Sequence, residues 1–153
     1  MSTRRILRVP VLLGLLAVTS VALAQGDRQT VLGPGMYVFQ TRTTSASCQD
    51  DERTGYVSTF LAPIHGVPGS REMRMTLTNS EFWPQWTITV DAAGRVVGDA
   101  TLAGASGPTA PRNHFSTTRQ GERFVGTGQR TYRANGQLCR VEYDALLRRI
   151  DQL

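Results

Sequence analysis

Lysine is absent from this sequence, cysteine occurs only twice, and no apolar run is long enough to cross a membrane as a helix. All 17 basic residues are arginine. A GC-rich bacterial genome accounts for this bias; the alternative is a surface adapted to planar anions, which guanidinium groups bind better than ammonium groups. The longest apolar stretch, Val11–Leu23, has 13 residues, whereas a spanning helix needs roughly 20, so no transmembrane anchor is predicted.

The same stretch has the composition of an export signal. Arg4, Arg5 and Arg8 form a positive n-region, and Ala22-Leu23-Ala24 places small residues where a signal peptidase reads them. We predict a signal peptide over residues 1–24 and a periplasmic or secreted mature protein. The Sec route is favoured, because the sequence after Arg4-Arg5 matches a twin-arginine signal only loosely.

Removal of the signal leaves a nearly neutral chain. Three arginines leave with it, so the formal net charge falls from +5 to +2 over the remaining 129 residues. A charge this small, on an exported protein, gives no reason to expect a nucleic-acid partner. The remaining length is that of one domain with a substantial core.

The two cysteines, Cys48 and Cys139, are 91 positions apart and both belong to the mature chain. An even pair in an oxidising compartment predicts a disulfide. Cys48 follows the first predicted strand and Cys139 lies in the last, so the bond would join the beginning of the fold to its end. A redox role is not expected, because the Cys-x-x-Cys motif is absent.

Strand patterns follow one another along the mature chain. Met73, Met75 and Leu77 alternate with polar residues, which is the period of a half-buried strand. Asn135-Gly136 predicts a tight hairpin. Interior glycines at 126 and 128 suggest bending or the close approach of another backbone. No helical pattern long enough for the crossovers of a parallel sheet is present before the C-terminus.

We therefore predict an all-β domain over residues 35–153, preceded by a flexible arm over residues 25–34. About eight strands would form an antiparallel up-and-down meander that closes, or nearly closes, into a small barrel. Two packed sheets in a β-sandwich are the alternative. A short C-terminal helix is the alternative to a strand over Asp144–Leu153.

In strand count and size, this architecture resembles the lipocalin-like small β-barrels. Gly35-Met36-Tyr37 stands where that family has Gly-x-Trp, so the third residue departs from the motif. The resemblance therefore extends to size only, and fold-level analogy by itself implies no function.

No catalytic motif is apparent in the sequence. The Gly-x-Ser-x-Gly elbow is absent, and the predicted disulfide removes both thiols as nucleophiles. His65 and His114 are not spaced from each other, or from the run Asp50-Asp51-Glu52, as metal ligands are. The acidic run also lacks the pattern of a calcium loop. We expect no metal, no cofactor and no enzymatic activity.

Aromatic and methionine side chains offer the best functional lead. They either fill the barrel or line a cavity for an apolar ligand, which a barrel of about eight strands can hold. Trp83 and Trp86 flank Pro84 at a bend, which suits the mouth of a barrel or a contact with a protein partner. The candidate binding residues are Phe60, Met73, Met75, Trp83, Trp86 and Tyr132.

Arginines recur along the last strands, where we expect a solvated outer surface, with an anion-binding face as the alternative. These residues are Arg119, Arg123, Arg130, Arg133 and Arg140.

The sequence as a whole favours an exported protein that binds a small apolar or amphipathic ligand or an envelope partner. A structural or assembly accessory, or an inhibitor, of the bacterial cell envelope is the first alternative. A small hydrolase is the second. An open cavity would favour the ligand-binding hypothesis over the accessory.

Overall fold

The computed structural model describes residues 32–48 and 53–150. The predicted signal peptide, most of the predicted N-terminal arm and the run Asp50-Asp51-Glu52 lie outside the described residues. Within them, eight strands follow one another. The strands are β1 (Gly35–Ala46), β2 (Val57–His65), β3 (Glu72–Thr76), β4 (Gln85–Val90), β5 (Val96–Thr101), β6 (Arg112–Gln120), β7 (Arg123–Ala134) and β8 (Gln137–Arg149).

Each strand pairs antiparallel with its neighbours in sequence, and β8 pairs with β1, so the sheet is a closed barrel. This confirms the predicted up-and-down barrel and excludes the alternative β-sandwich. The segment weighed as a C-terminal helix instead continues β8 as far as Arg149. The described residues include no helix with the length and hydropathy of a membrane-spanning segment.

Closure of the barrel depends on the long ladder between β1 and β8. Phe39 lies opposite Leu147, and the ladder continues to Ala46 opposite Val141 after a bulge between Thr43 and Ser45. Just beyond that ladder, the predicted disulfide joins Cys48 to Cys139, with 5.5 Å between their Cα atoms. The bond lies at the end of the barrel where the connections from β3 to β4 and from β5 to β6 also lie.

The opposite end of the barrel is filled. Leu32, which precedes β1, is 2% exposed there, and the Tyr37 hydroxyl donates a hydrogen bond to the Gly33 carbonyl at 2.9 Å. Residues 32–34 of the predicted arm therefore lie against the barrel. Inward-facing side chains from every strand complete this part of the core: Tyr37, Ile64, Met73, Val90, Val96, Thr117, Phe124 and Leu147.

Two interior glycines in β7 allow β6 and β8 to lie close to it. A Cβ atom on Gly126 would meet the Ser116 carbonyl oxygen and would lie 2.8 Å from Thr117 Cα, both on β6. One on Gly128 would meet the ring of Tyr143 on β8. The close backbone approach that the sequence suggested for this strand is therefore found at Gly126.

The ladder between β2 and β3 is the shortest in the barrel. Because β3 ends at Thr76, the first part of β2, Val57–Phe60, has no strand partner on that side within the described residues. The pairs that join the two strands are Ile64 with Met75 and His65 with Arg74, with an isolated bridge between Leu61 and Thr78.

Removal of the disulfide should destabilise the barrel without changing its topology. In the chain-entropy account, a loop of 91 residues contributes roughly 4–5 kcal/mol, and measured losses are commonly 2–5 kcal/mol. We expect the Cys48→Ala/Cys139→Ala variant to lose about 2–5 kcal/mol in the free energy of unfolding by urea. Reductant should lower the stability of the wild type and leave that of the variant unchanged. A loss under about 1 kcal/mol would contradict this account.

Gly126→Ala should be strongly destabilising, because its methyl group would meet backbone atoms of β6 that cannot rotate away. We expect a loss of about 1–3 kcal/mol or more in the free energy of unfolding. Thr127→Ala, at the exposed neighbouring position, should change it by no more than about 0.5 kcal/mol. Equal effects at the two positions would show that the barrel relaxes around the added methyl group.

Candidate functional site

A cavity of about 680 Å³ occupies the end of the barrel nearest the disulfide. Its walls come from the ends of strands and from the β3–β4 and β5–β6 connections. Small-molecule sites usually enclose about 300–1,000 Å³, so the volume suits one small ligand. The barrel interior is therefore filled in one half and open in the other.

The floor of the cavity is aromatic. Phe39 and Trp86 line it, and Phe115 packs against both. Their ring centroids lie 4.9 Å apart for Phe39 and Phe115, 5.3 Å for Trp86 and Phe115, and 5.8 Å for Phe39 and Trp86. Tilted aromatic pairs at these distances are favourable. The cluster closes the interior below the cavity.

The wall formed by β2 to β5 carries most of the apolar side chains of the cavity, together with the polar residues Ser58, Asn79, Ser80 and Glu81. Phe60, Leu77 and Leu102 line this side together with Trp83 and Trp86. Neighbouring Phe82 also lines the cavity, and 61% of its surface is exposed at the rim.

Pro84 explains how both tryptophans reach the cavity. Because proline cannot donate to a ladder, β4 begins only at Gln85, and the chain before it is free to bend. The bend is held by the Trp86 indole, whose Nε1–H donates to the Trp83 carbonyl at 2.8 Å. The Leu77 amide donates to the Pro84 carbonyl at 2.9 Å. Trp83 is consequently 8% exposed, although it precedes the strand.

The opposite wall, formed by β6, β7, β8 and β1, is polar. Tyr143 and Asn113 are both buried there, and the Tyr143 hydroxyl donates to Asn113 Oδ1 at 2.6 Å. The His114 carbonyl lies 3.2 Å from the same hydroxyl. Burial raises the pKa of Tyr143 well above its ordinary value of 10.0, and the positive charge of Arg130 opposes part of that rise.

Arg130 and Tyr132 are neighbouring inward-facing residues of β7. They lie in the same alternation as Phe124, Gly126 and Gly128, and both line the cavity. Arg130 is half-buried, so the expectation of a solvated position is wrong for this residue. The remaining arginines of that group, Arg119, Arg123, Arg133 and Arg140, are exposed, and Arg133 also contributes to the cavity rim.

The six predicted binding residues divide into two sets. Phe60, Trp83, Trp86 and Tyr132 line the cavity, whereas Met73 and Met75 are 2% and 0% exposed within the core and do not line it. Sequence reasoning missed the buried polar wall of Asn113 and Tyr143. The sequence signal for Arg130 is the two-residue period of β7. The interior glycines of that strand face inward, and Arg130 is the next residue with the same period.

Neither histidine lines the cavity. His65 is exposed at the end of β2. On β6, His114 Nδ1 is 2.8 Å from Asp99 Oδ1, in a pair that is about half exposed. Within residues 32–48 and 53–150, no three His, Cys, Asp or Glu side chains are grouped as a metal site requires.

A scan against protein-family models and searches of curated proteins and of solved structures found no match. The fold and the cavity define the class of the protein: an eight-stranded, disulfide-linked antiparallel barrel with an amphipathic cavity at one end.

The buried Tyr143 hydroxyl should make stability depend on pH in the alkaline range. Because its pKa is higher in the folded chain than in the unfolded chain, its contribution is complete below pH 10 and is lost as the pH rises further. We expect the wild type to lose stability above pH 10 more steeply than Tyr143→Phe, by up to about 1.4 kcal/mol per pH unit.

Urea unfolding between pH 8 and 11 measures this difference. The other tyrosines are common to both proteins and cancel in the comparison. Parallel curves for the two proteins would mean that Tyr143 titrates normally in the folded state.

Proposed function

We propose that the protein is a non-enzymatic, exported binding protein that holds one small apolar or amphipathic molecule in the cavity. The observation that carries the proposal is the division of the barrel interior into a filled half and an open half, whose apolar lining residues lie mainly on one side and whose buried polar residues lie on the other. A barrel that needed its interior only for stability would gain by filling both halves, because empty space forfeits packing contacts.

The contrast between the two walls supports a ligand with two chemically different sides. Phe60, Leu77 and Leu102 offer apolar area, whereas Asn113 and Tyr143 offer hydrogen-bonding groups across the same space. Ligand sites generally combine a mostly apolar lining with a few polar groups that fix orientation. The predicted export signal and the disulfide are consistent with action outside the cytoplasm.

A second candidate function, an assembly accessory of the cell envelope, is favoured by the edge of β2. Val57–Phe60 has no partner strand on the β3 side within the described residues, and the nearby apolar side chains of Val57 and Leu61 are 47% and 41% exposed. An extended segment of another protein binds to such an edge through main-chain hydrogen bonds. Uptake of a small probe by the purified protein distinguishes the two candidates.

The proposed function predicts saturable binding of N-phenyl-1-naphthylamine, a neutral dye that fluoresces in apolar surroundings. The double variant Ser58→Trp/Leu102→Trp places two large rings into the open volume, so we expect its dissociation constant to rise at least tenfold, as read by dye fluorescence. Thr59→Trp/Thr101→Trp alters the adjacent exposed positions and should bind as the wild type does.

Circular dichroism and thermal unfolding would check that both double variants keep the barrel. Absence of saturable binding to the wild type, or equal affinity in the cavity-filled variant, would contradict the proposed function. If the wild type binds the dye and the cavity-filled variant binds it more weakly, native mass spectrometry of protein purified from its own envelope would identify the natural ligand.

A further inference from the structure

We propose that the ligand is an anionic amphiphile whose oxyanion group, a carboxylate, sulfonate or phosphate, binds to Arg130 and Asn113 while its apolar part lies on the aromatic floor. The inference rests on the proposed function, because it names the ligand class of the same cavity. It is carried by the donors that β6 and β7 place next to each other on the polar wall.

Arg130 is the first of these donors. It lies on the inward-facing side of β7, lines the cavity and is half-buried. A guanidinium group has five N–H donors and no acceptor, and its planar fork matches an oxyanion. Its partial burial makes a charge-assisted hydrogen bond stronger there than at a fully exposed position.

Asn113 supplies the second set of donors. It lies directly opposite Arg130 in the β6–β7 ladder and is 6% exposed. Its Oδ1 accepts the hydrogen bond from Tyr143, which fixes the orientation of the amide and leaves Nδ2 for the cavity that the side chain lines. No described residue accepts a hydrogen bond from that Nδ2. A buried amide with two unused donors calls for an acceptor.

The two residues together therefore present donors to the same side of the cavity. A neutral hydroxyl accepts some of these hydrogen bonds but does not interact with the charge on Arg130, and a cation is repelled by it. An oxyanion accepts from both residues and gains the charge-assisted bond. Arg133 at the rim adds a second positive charge to this side.

A negative charge on the opposite wall favours the same orientation of the ligand, with its anionic group next to Arg130. Glu81 is the one carboxylate among the described residues that line the cavity, and it belongs to the β3–β4 connection, on the apolar side. It therefore disfavours an anionic group near Trp83 and the rim there. The head group is directed to β6 and β7, and the apolar body to Phe39 and Trp86.

The experiment compares three amphiphiles with the same chain and different head groups. Dodecanoate, dodecanol and dodecyltrimethylammonium, each below its micellar concentration and at one ionic strength, displace N-phenyl-1-naphthylamine from the wild type. We expect dodecanoate to bind at least tenfold more tightly than dodecanol, and the cation to bind most weakly. This comparison requires no variant and holds even if substitutions at the site impair folding.

Arg130→Gln tests the residue itself. We expect the preference for dodecanoate over dodecanol to fall to less than threefold, while the affinity for dodecanol stays within threefold of the wild type. Asn113→Asp, nearly equal in size, replaces the donors with a carboxylate and should remove the preference for the anion. Arg123→Gln, an exposed position on the same strand, should keep the full preference.

Equal binding of dodecanoate and dodecanol to the wild type would overturn this inference, as would a preference that persists in Arg130→Gln. In both cases, uptake of the neutral dye would leave the proposed function intact. Failure of the dye and of all three amphiphiles to bind would reject the proposed function, and this inference with it.

Discussion

Closure of the sheet between β1 and β8 is the constraint on which the rest of the molecule depends. The β1–β8 ladder joins the first and last strands of a meander, so the outer edges that these two strands would expose in an open sheet are paired. The Cys48–Cys139 bond adds a covalent link just beyond this ladder. Because the link lies at the open end, it holds two adjacent strands of the polar wall together beside the cavity.

The two halves of the barrel interior differ in how they are packed. In the filled half, Leu32, Met73 and Leu147 bury apolar surface from the N-terminal segment and the strands, and this burial supplies the hydrophobic stabilisation. The aromatic cluster around Phe39 separates that core from the cavity. Above it, the packing differs from wall to wall, and the polar groups are placed by side-chain hydrogen bonds rather than by apolar contacts. Tyr143 takes part in both kinds of contact: its ring packs on Gly128, and its hydroxyl orients Asn113.

The strands and turns of the barrel could be predicted from the sequence because their signals are local, and the disulfide because the sequence contains only two cysteines. The alternation around Met73, the Asn135-Gly136 turn and the break at Pro84 each act within a few residues. The polar wall could not be predicted in the same way. Asn113 is buried because Tyr143, two strands away in the sheet, reaches it, and no sequence period records that contact. The position of Arg130 follows from the register of β7, whereas arginine composition alone favoured the solvent. For Met73 and Met75, the inward direction of the side chains could be predicted from the sequence. Their position in the filled half of the barrel, rather than on the cavity wall, could not.

The ladders on the two sides of the cavity differ in length, so the two walls differ in how readily they can adapt to a ligand. The polar wall belongs to the long ladders of β6, β7, β8 and β1, whereas the apolar wall includes the seam where β2 and β3 share only two register pairs and one isolated bridge. Regions with few hydrogen-bonded neighbours open at lower free energy than those with many. Adaptability is therefore concentrated on the apolar side of the cavity, and stiffness on the polar side. For the proposed amphiphile, this arrangement would favour discrimination between head groups and tolerance of tails that differ in length and shape.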